Sequence, residues 1–227
     1  MIINFLNTGL SKSYAIPSLL LGIEVVIMRP IVIEGQSIAL GPLVKEDLER
    51  LWYWMNDKEV TQYLGPLFLR VFSLEAERKW LEKALEADDR NIFFAILLKP
   101  DYEHIGNVGL HKIDYLNRNA EVAIFIGRKD LWGQGYGSEA LILALDIAFN
   151  VLEINTVYLR VMEYNERAIK CYSKVGFKFA GRLRQHIYRG GRYWDIILMD
   201  ITREEFNKTH RSIIKSMCKD IFQNKKT

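Results

Sequence analysis

Cysteine is nearly missing from this chain of 227 residues: Cys171 and Cys218 are the only two, far apart and without a CxxC or Cys/His grouping. Such a pair makes neither a disulfide framework nor a zinc site, and it suits a reducing cytoplasm, where the protein is expected to reside. Histidine is thin too. His104, His111, His186 and His210 are scattered singly, so no metal centre is expected. Long apolar runs are also lacking. The run AIPSLLLGIEVVI at 15–27 is broken by Glu24, too short to span a bilayer, and followed by no A-x-A-like cleavage pattern. No internal repeat or low-complexity linker is present. A formal net charge of +3 is too small to argue for nucleic acid.

What is there suffices for a real core. Hydrophobic residues make up 49% of the chain and charged ones 26%, the soluble globular range for one domain with extensions. The basicity is localised: residues 203–227 carry a local +4, leaving about −1 for everything before them. Residues 1–27 read as an extension. Glu24 to Met28 can be encoded by a purine-rich stretch just ahead of an ATG, so Met28 is the expected start of the functional chain.

Along the chain, IVIEGQSIALGPL reads as two short strands around Glu34-Gly35. In KEDLERLWYWMND, Leu48, Leu51, Trp52 and Met55 recur at helical spacing behind acids in the first turn. Ser73 is a candidate N-cap for SLEAERKWLEKALEADD. Strands are expected at 91–99, 104–114 and 120–127, a helix at 136–152, a strand at 156–162 and a helix at 165–177 ended by Gly176. Two further strands join at Arg189-Gly190-Gly191-Arg192, and 203–224 is expected to form one more helix. Its apolar spacing suits packing on this domain, on a partner or on a membrane surface. The order implies an α+β sheet covered by helices on both faces.

The densest signal is WGQGYGSEA at 132–140, three glycines directly ahead of a good helix. A P-loop needs GxxxxGK[ST], and that lysine is missing. A dinucleotide fingerprint needs a different glycine spacing and an acid about 20 residues on, where this chain has Asn155. A third reading is a loop of bare N–H groups at a helix N-terminus that holds a pyrophosphate. A tight strand-to-helix turn explains the loop alone equally well.

The flanks extend the pattern. Trp132-Gly133-Gln134-Gly135-Tyr136-Gly137 resembles the acetyl-CoA motif Q/R-x-x-G-x-G/A of the GNAT N-acetyltransferases, with Trp132 replacing the usual first Gln or Arg. Asn165 through Ala168 and Tyr172 to Gly176-Phe177 resembles that family's N-x-x-A-x-x-x-Y-x-x-x-G-F pattern. The resemblance covers roughly residues 37–202. It implies a mixed, mostly antiparallel sheet with a splayed central strand pair and helices on both faces. By it, 1–27 is an N-terminal extension, 28–202 the acetyltransferase domain and 203–227 a basic helical tail.

The resemblance also implies roles. The amide-rich pantetheine arm of acetyl-CoA would pair with backbone groups of Ile124, Phe125 and Ile126 in the splayed slot. Trp132, Gly133, Gln134, Gly135, Tyr136, Gly137 and Ser138 would form the pyrophosphate loop, and Asn165 would orient the cofactor arm. Arg128 and Lys129 are candidate charges near the phosphates. Tyr172 would protonate the departing thiolate. Glu121, at the start of its strand, would serve as general base or as an acceptor-binding carboxylate. The acceptor is a primary amine, for which the RimJ/RimL-type branch favours a protein N-terminus (ribosomal-protein type), in a groove walled by Trp52, Trp54, Tyr63 and Phe68. Spermidine acetyltransferases share much of the pattern; for them Asp57, Glu59, Glu75 and Glu77 are the nearby acids, which charge composition reads as solvated. A non-catalytic CoA-binding module is the reading from another class. A homodimer is the family expectation, and the basic tail suggests a ribosome or RNA tether.

Overall fold

The computed structural model describes residues 29–65, 70–86 and 88–216. The expected extension over 1–27, Phe68 and the end of the tail lie outside those residues. The strands are β1 (Ile33–Glu34), β2 (Ile38–Pro42), β3 (Ile92–Leu98), β4 (Glu103–Asp114), β5 (Asn119–Ile126), β6 (Thr156–Met162), β7 (Lys178–Arg189) and β8 (Arg192–Thr202). The helices are α1 (Leu48–Asn56), α2 (Lys58–Thr61), α3 (Leu74–Leu85), α4 (Tyr136–Asn150), α5 (Glu166–Val175) and α6 (Arg203–Thr209).

All the strands join one sheet in the order β1-β2-β3-β4-β5-β6-β8-β7. Every neighbouring pair is antiparallel except β5 and β6, which run parallel. This is the mixed, mostly antiparallel sheet that the sequence implies.

The strand sequences explain the layers. β3 reads IFFAILL without polar alternation because both of its faces are covered. Phe94 and Ile96 face one core with Leu141, Ala144, Leu145 and Phe149 of α4. Ala95 and Leu97 face the other, with Leu48, Leu51, Trp54 and Met55 of α1 and Leu81 of α3. Ser73 caps α3 as expected, accepting from Ala76 N at 3.1 Å.

The tail departs from the expected single helix. α6 stops at Thr209, and helix resumes only at 213–216. The interruption has a chemical cause: the Asp146 carboxylate of α4 accepts from Ser212 Oγ at 2.6 Å and from the N–H groups of Ile213 and Ile214 at 2.7 and 3.1 Å. One side chain thereby caps a new turn and fastens it to the domain. Phe206 of α6 is fully buried against Phe149, with ring centroids 5.3 Å apart. Of the three surfaces open to this segment, its described part packs on the domain itself.

Candidate active site

Among the described residues the only parallel pairing in the sheet is short. β5 and β6 pair at Asn119, Ala120 and Glu121, opposite Thr156, Val157 and Tyr158, and no farther. β6 continues beside β8 to Met162, while β5 continues beside β4 to Ile126. A wedge therefore opens between them beyond Glu121.

Two cavities meet in that wedge. One, of about 480 Å³, lies on the α4–α5 side and is lined by residues 131–138, Ile124, Ile126, Asn165, Arg167, Lys170, Cys171 and Lys174. The other, of about 850 Å³, lies on the α1–α3 side and is lined by Leu51, Met55, Phe72, Glu77, Trp80, Asn107, Glu121 and part of the β7–β8 hairpin. Tyr63, Leu64, Ile124, Phe125, Arg160 and Tyr172 border both. These shared residues form the wall through which the two spaces communicate.

On the α4–α5 side the backbone prepares an anion site. Gly133 and Gly135 hold φ values of +80° and +95°, a left-handed conformation that side-chain-bearing residues resist. Gly137 is different: its φ is ordinary, and an added Cβ would meet only Cys171 Sγ at 3.9 Å and Ile124 Cδ1 at 4.0 Å. The fold therefore has room for a Cβ there, and the bare backbone leaves space for a close-approaching ligand. Gly135 caps α4 without a side-chain bond, and no described partner takes the N–H groups of Tyr136, Gly137 and Ser138. These unpaired donors, with the positive end of the helix dipole, favour a phosphate.

Trp132 anchors this loop. Its Nε1 donates to the Ile126 carbonyl at 2.7 Å, and the Arg167 guanidinium stacks 3.7 Å from its ring. Arg167 thereby brings a positive charge beside the loop. Gln134 donates to the Asp130 carbonyl, which bends the loop further. Successive strand residues turn their backbone groups to opposite neighbours. Gly127 N donates to Ile105 O and the Phe125 carbonyl lies against Gly106, so both of those groups face β4. Ile124 and Ile126 thus present theirs to the wedge, with the Ile126 carbonyl already taken by Trp132, while Phe125 contributes its side chain. Asn165 caps α5 by accepting from Ala168 N at 3.2 Å and lines the cavity.

Arg128 and Lys129 are not part of this site. Arg128 is held by Glu103 and Asp130, and Lys129 by Asp57 and Glu59. Besides Arg160 of β6, which Glu121 holds, the lining cations are Arg167, Lys170 and Lys174 of α5. Their spacing of three and four places them on one helix face, a signal that was present in the sequence.

Tyr172 projects from α5 into the shared wall. It is 8% exposed, its hydroxyl has no hydrogen-bond partner among the described residues, and burial pushes its pKa well above the usual phenol range. Such a group stays protonated at neutral pH and remains available as a donor.

Glu121 lies just below the point where the strands part. Its Oε1 accepts from Arg160 Nε at 2.7 Å and its Oε2 pairs with Lys112 Nζ at 2.8 Å. Burial pushes the carboxyl up, but the Lys112 and Arg160 contacts outweigh it and hold the pKa below the usual glutamate value. A carboxylate so held is a weak base, and of the two roles read from the sequence its surroundings favour acceptor binding.

The rest of the acceptor side is assembled from distant segments. Trp54 is core rather than groove wall, edge-on to Phe125 and to His104. His104 presents Nδ1 to Asp47 Oδ1 at 2.9 Å and Nε2 to Asn107 Oδ1 at 2.6 Å. Burial would raise the Asp47 carboxyl, but the His104 hydrogen bond, the charges of His104 and Arg29 and the Val44 N–H outweigh it and hold its pKa at about 2. Trp52 is half-exposed and donates to the Phe72 carbonyl, and Tyr63 reaches both cavities. Of the four acids read as solvated, Glu59 and Glu75 are exposed, and Asp57 caps α2 and holds Lys129. Glu77 contradicts that reading. It is 4% exposed and lines the larger cavity, because it sits one turn before Leu81 on the inward stripe of α3.

Comparison with known proteins gives the same picture. The model of the acetyltransferase (GNAT) domain matches residues 38–178. Spermidine N(1)-acetyltransferase of Escherichia coli (strain K12) is 30% identical over 190 residues, 83% of this chain and 98% of the relative. An uncharacterized N-acetyltransferase, p20 of Bacillus licheniformis, is 28% identical over 75% of this chain and 96% of its own length. Among solved structures, spermidine N-acetyltransferase from Vibrio cholerae in complex with CoA and spermine superposes with a TM-score of 0.69 at 25% identity, covering 76% of this chain and 99% of that one.

Proposed function

Because this chain belongs to the GNAT acetyltransferase family and moves an acetyl group from acetyl-CoA to an amine, we propose that its acceptor is a small primary amine of the polyamine kind. This reverses the preference for a protein N-terminus. The observation that carries the reading is the pair of cavities joined at Tyr172: one ends in an anion-ready loop, the other is a space of about 850 Å³ with a buried carboxylate on its wall. The relatives named for spermidine support it, since one of them matches over most of this chain.

In this mechanism the N–H groups of Tyr136 to Ser138 hold the pyrophosphate, with Arg167 and the α5 lysines adding charge. Asn165 and the wedge-facing groups of Ile124 and Ile126 align the pantetheine arm so that the thioester lies at the shared wall. The acceptor nitrogen enters from the α1–α3 side, sheds a proton to water and attacks the carbonyl carbon. A backbone N–H of β5 meets the charge that develops on the oxygen. As the new C–N bond forms and the C–S bond breaks, the nitrogen gives up its second proton to water, and Tyr172 gives its proton to the sulfur and regains one from solvent. Glu121 holds Arg160 in place in the wedge where the acceptor nitrogen approaches. Positioning of amine against thioester supplies much of the acceleration.

The test is CoA thiol release from acetyl-CoA with spermidine, n-butylamine, and short peptides starting with Ser, Ala or Met. Release with the small amines is the expected result. Release with peptides alone would return the acceptor to the protein N-terminus, and none at all would leave a CoA-binding module.

A further inference from the structure

Among the described residues, nothing neutralises Glu77. It is 4% exposed, and its carboxylate has no hydrogen-bond or ion-pair partner among the described residues. The other charged groups on the same cavity are engaged or distant from need: Glu121 holds Arg160, Arg189 donates to the carbonyls of Gln62 and Gly65 and to the Tyr164 hydroxyl, and His186 is exposed on the hairpin. An unpaired buried carboxylate is costly, so a fold that keeps one at a cavity wall gains when a cation enters. Burial raises the Glu77 pKa, as an unmet charge requires.

Its position says which cation. Glu77 borders only the larger cavity and is not part of the wall that meets the cofactor side. Leu51, Met55 and Phe72 line the same space, an apolar surface suited to methylene groups. We infer that Glu77 anchors a second, non-reacting ammonium of the acceptor, making the enzyme selective for linear diamines and polyamines over monoamines. This deepens the small-amine reading above and rests on it.

The experiment compares wild type with Glu77→Gln, an isosteric neutral change, using spermidine and n-butylamine, with CoA affinity as the check on folding. The expected result is a rise in KM for spermidine of about tenfold or more, the worth of a charge-assisted hydrogen bond. The change falls on KM rather than kcat, and the preference for spermidine over butylamine collapses. An unchanged spermidine KM overturns the inference. So does a fall in kcat with both amines, which would place Glu77 at the reacting nitrogen. Calorimetry of spermidine binding to the CoA-loaded protein separates the two readings. If wild type turns over no amine yet binds spermidine, and Glu77→Gln does not, the anchor stands and the acetylation reading fails. If wild type neither acetylates nor binds it, both fail.

Discussion

On the α4–α5 side of the wedge the proposed mechanism has the ligand meet mostly backbone: the N–H groups of Tyr136 to Ser138 and the wedge-facing groups of Ile124 and Ile126, all within one stretch of chain. On the α1–α3 side it meets side chains drawn from α1, α3, β4, β5, β6 and the β7–β8 hairpin. Backbone recognition requires particular φ angles and bare positions, so it leaves a glycine signature that tolerates little change. Side-chain recognition has no such constraint, and acceptor choice can be altered one residue at a time. One wall, bearing Tyr172, serves both sides.

Four substitutions separate the sides, the most damaging acting on the shared wall. Tyr172→Phe should lower kcat by about 10²- to 10⁴-fold, the usual contribution of a positioned acid, with little change in either substrate's binding. Because the hydroxyl has no described partner, the thermal midpoint should not fall. Steady-state kinetics beside a melting curve checks both. An equal loss in CoA affinity would make Tyr172 a binding residue instead.

Next comes a change confined to the cofactor side. The Cβ of Gly137→Ala meets ordinary contacts only, so the fold should survive, while CoA affinity measured by calorimetry should fall about 100-fold through lost charge-assisted bonds at the helix end. Spermidine binding should be unaffected. Unchanged CoA affinity would mean that the glycine loop is merely a turn.

Asp47→Asn probes the support beneath the acceptor side. Removing the charge between Arg29 and His104 should cost about 3 kcal/mol of stability, as other broken buried pairs do. The pH dependence has a definite sign. The folded pKa of Asp47, about 2, lies below its ordinary 3.8, so the folded state binds fewer protons than the unfolded state in that interval. Its stabilisation, about 2 kcal/mol, is present above pH 4 and lost as pH falls toward 2. Urea unfolding between pH 6 and pH 2.5 should show that loss in wild type and a shallower one in Asp47→Asn. Parallel curves would remove Asp47 from the acid response.

Glu121→Gln should have the smallest effect, about a tenfold rise in amine KM as Arg160 loses its tether. A basic shift in the acid limb of the kcat profile, with kcat itself lost, would instead restore the carboxylate as the base.

The same contrast explains what the sequence made legible. The order of elements and the glycine loop are local in sequence and follow from periodicity, turn residues and contiguous motifs, whereas the splayed pair was legible only through the resemblance to the GNAT family. Arg128 and Lys129 misled because charge says nothing about partners: each found carboxylates from other elements. Glu77 was read as solvated because first-turn acids usually are, although its spacing from Leu81 placed it inward. The break in the tail helix was invisible because its cause, Asp146, lies 66 residues upstream of Ser212. Contacts made across elements are set by tertiary packing, which no local pattern records.

The account's central claim is that the two cavities are halves of one reaction site. Its most direct test is the affinity of a conjugate joining the CoA sulfur through an acetyl bridge to spermidine, measured by calorimetry against CoA alone. Simultaneous engagement of both halves predicts binding tighter by about 100-fold or more. Affinity equal to that of CoA would mean that the larger cavity takes no part in holding the acceptor.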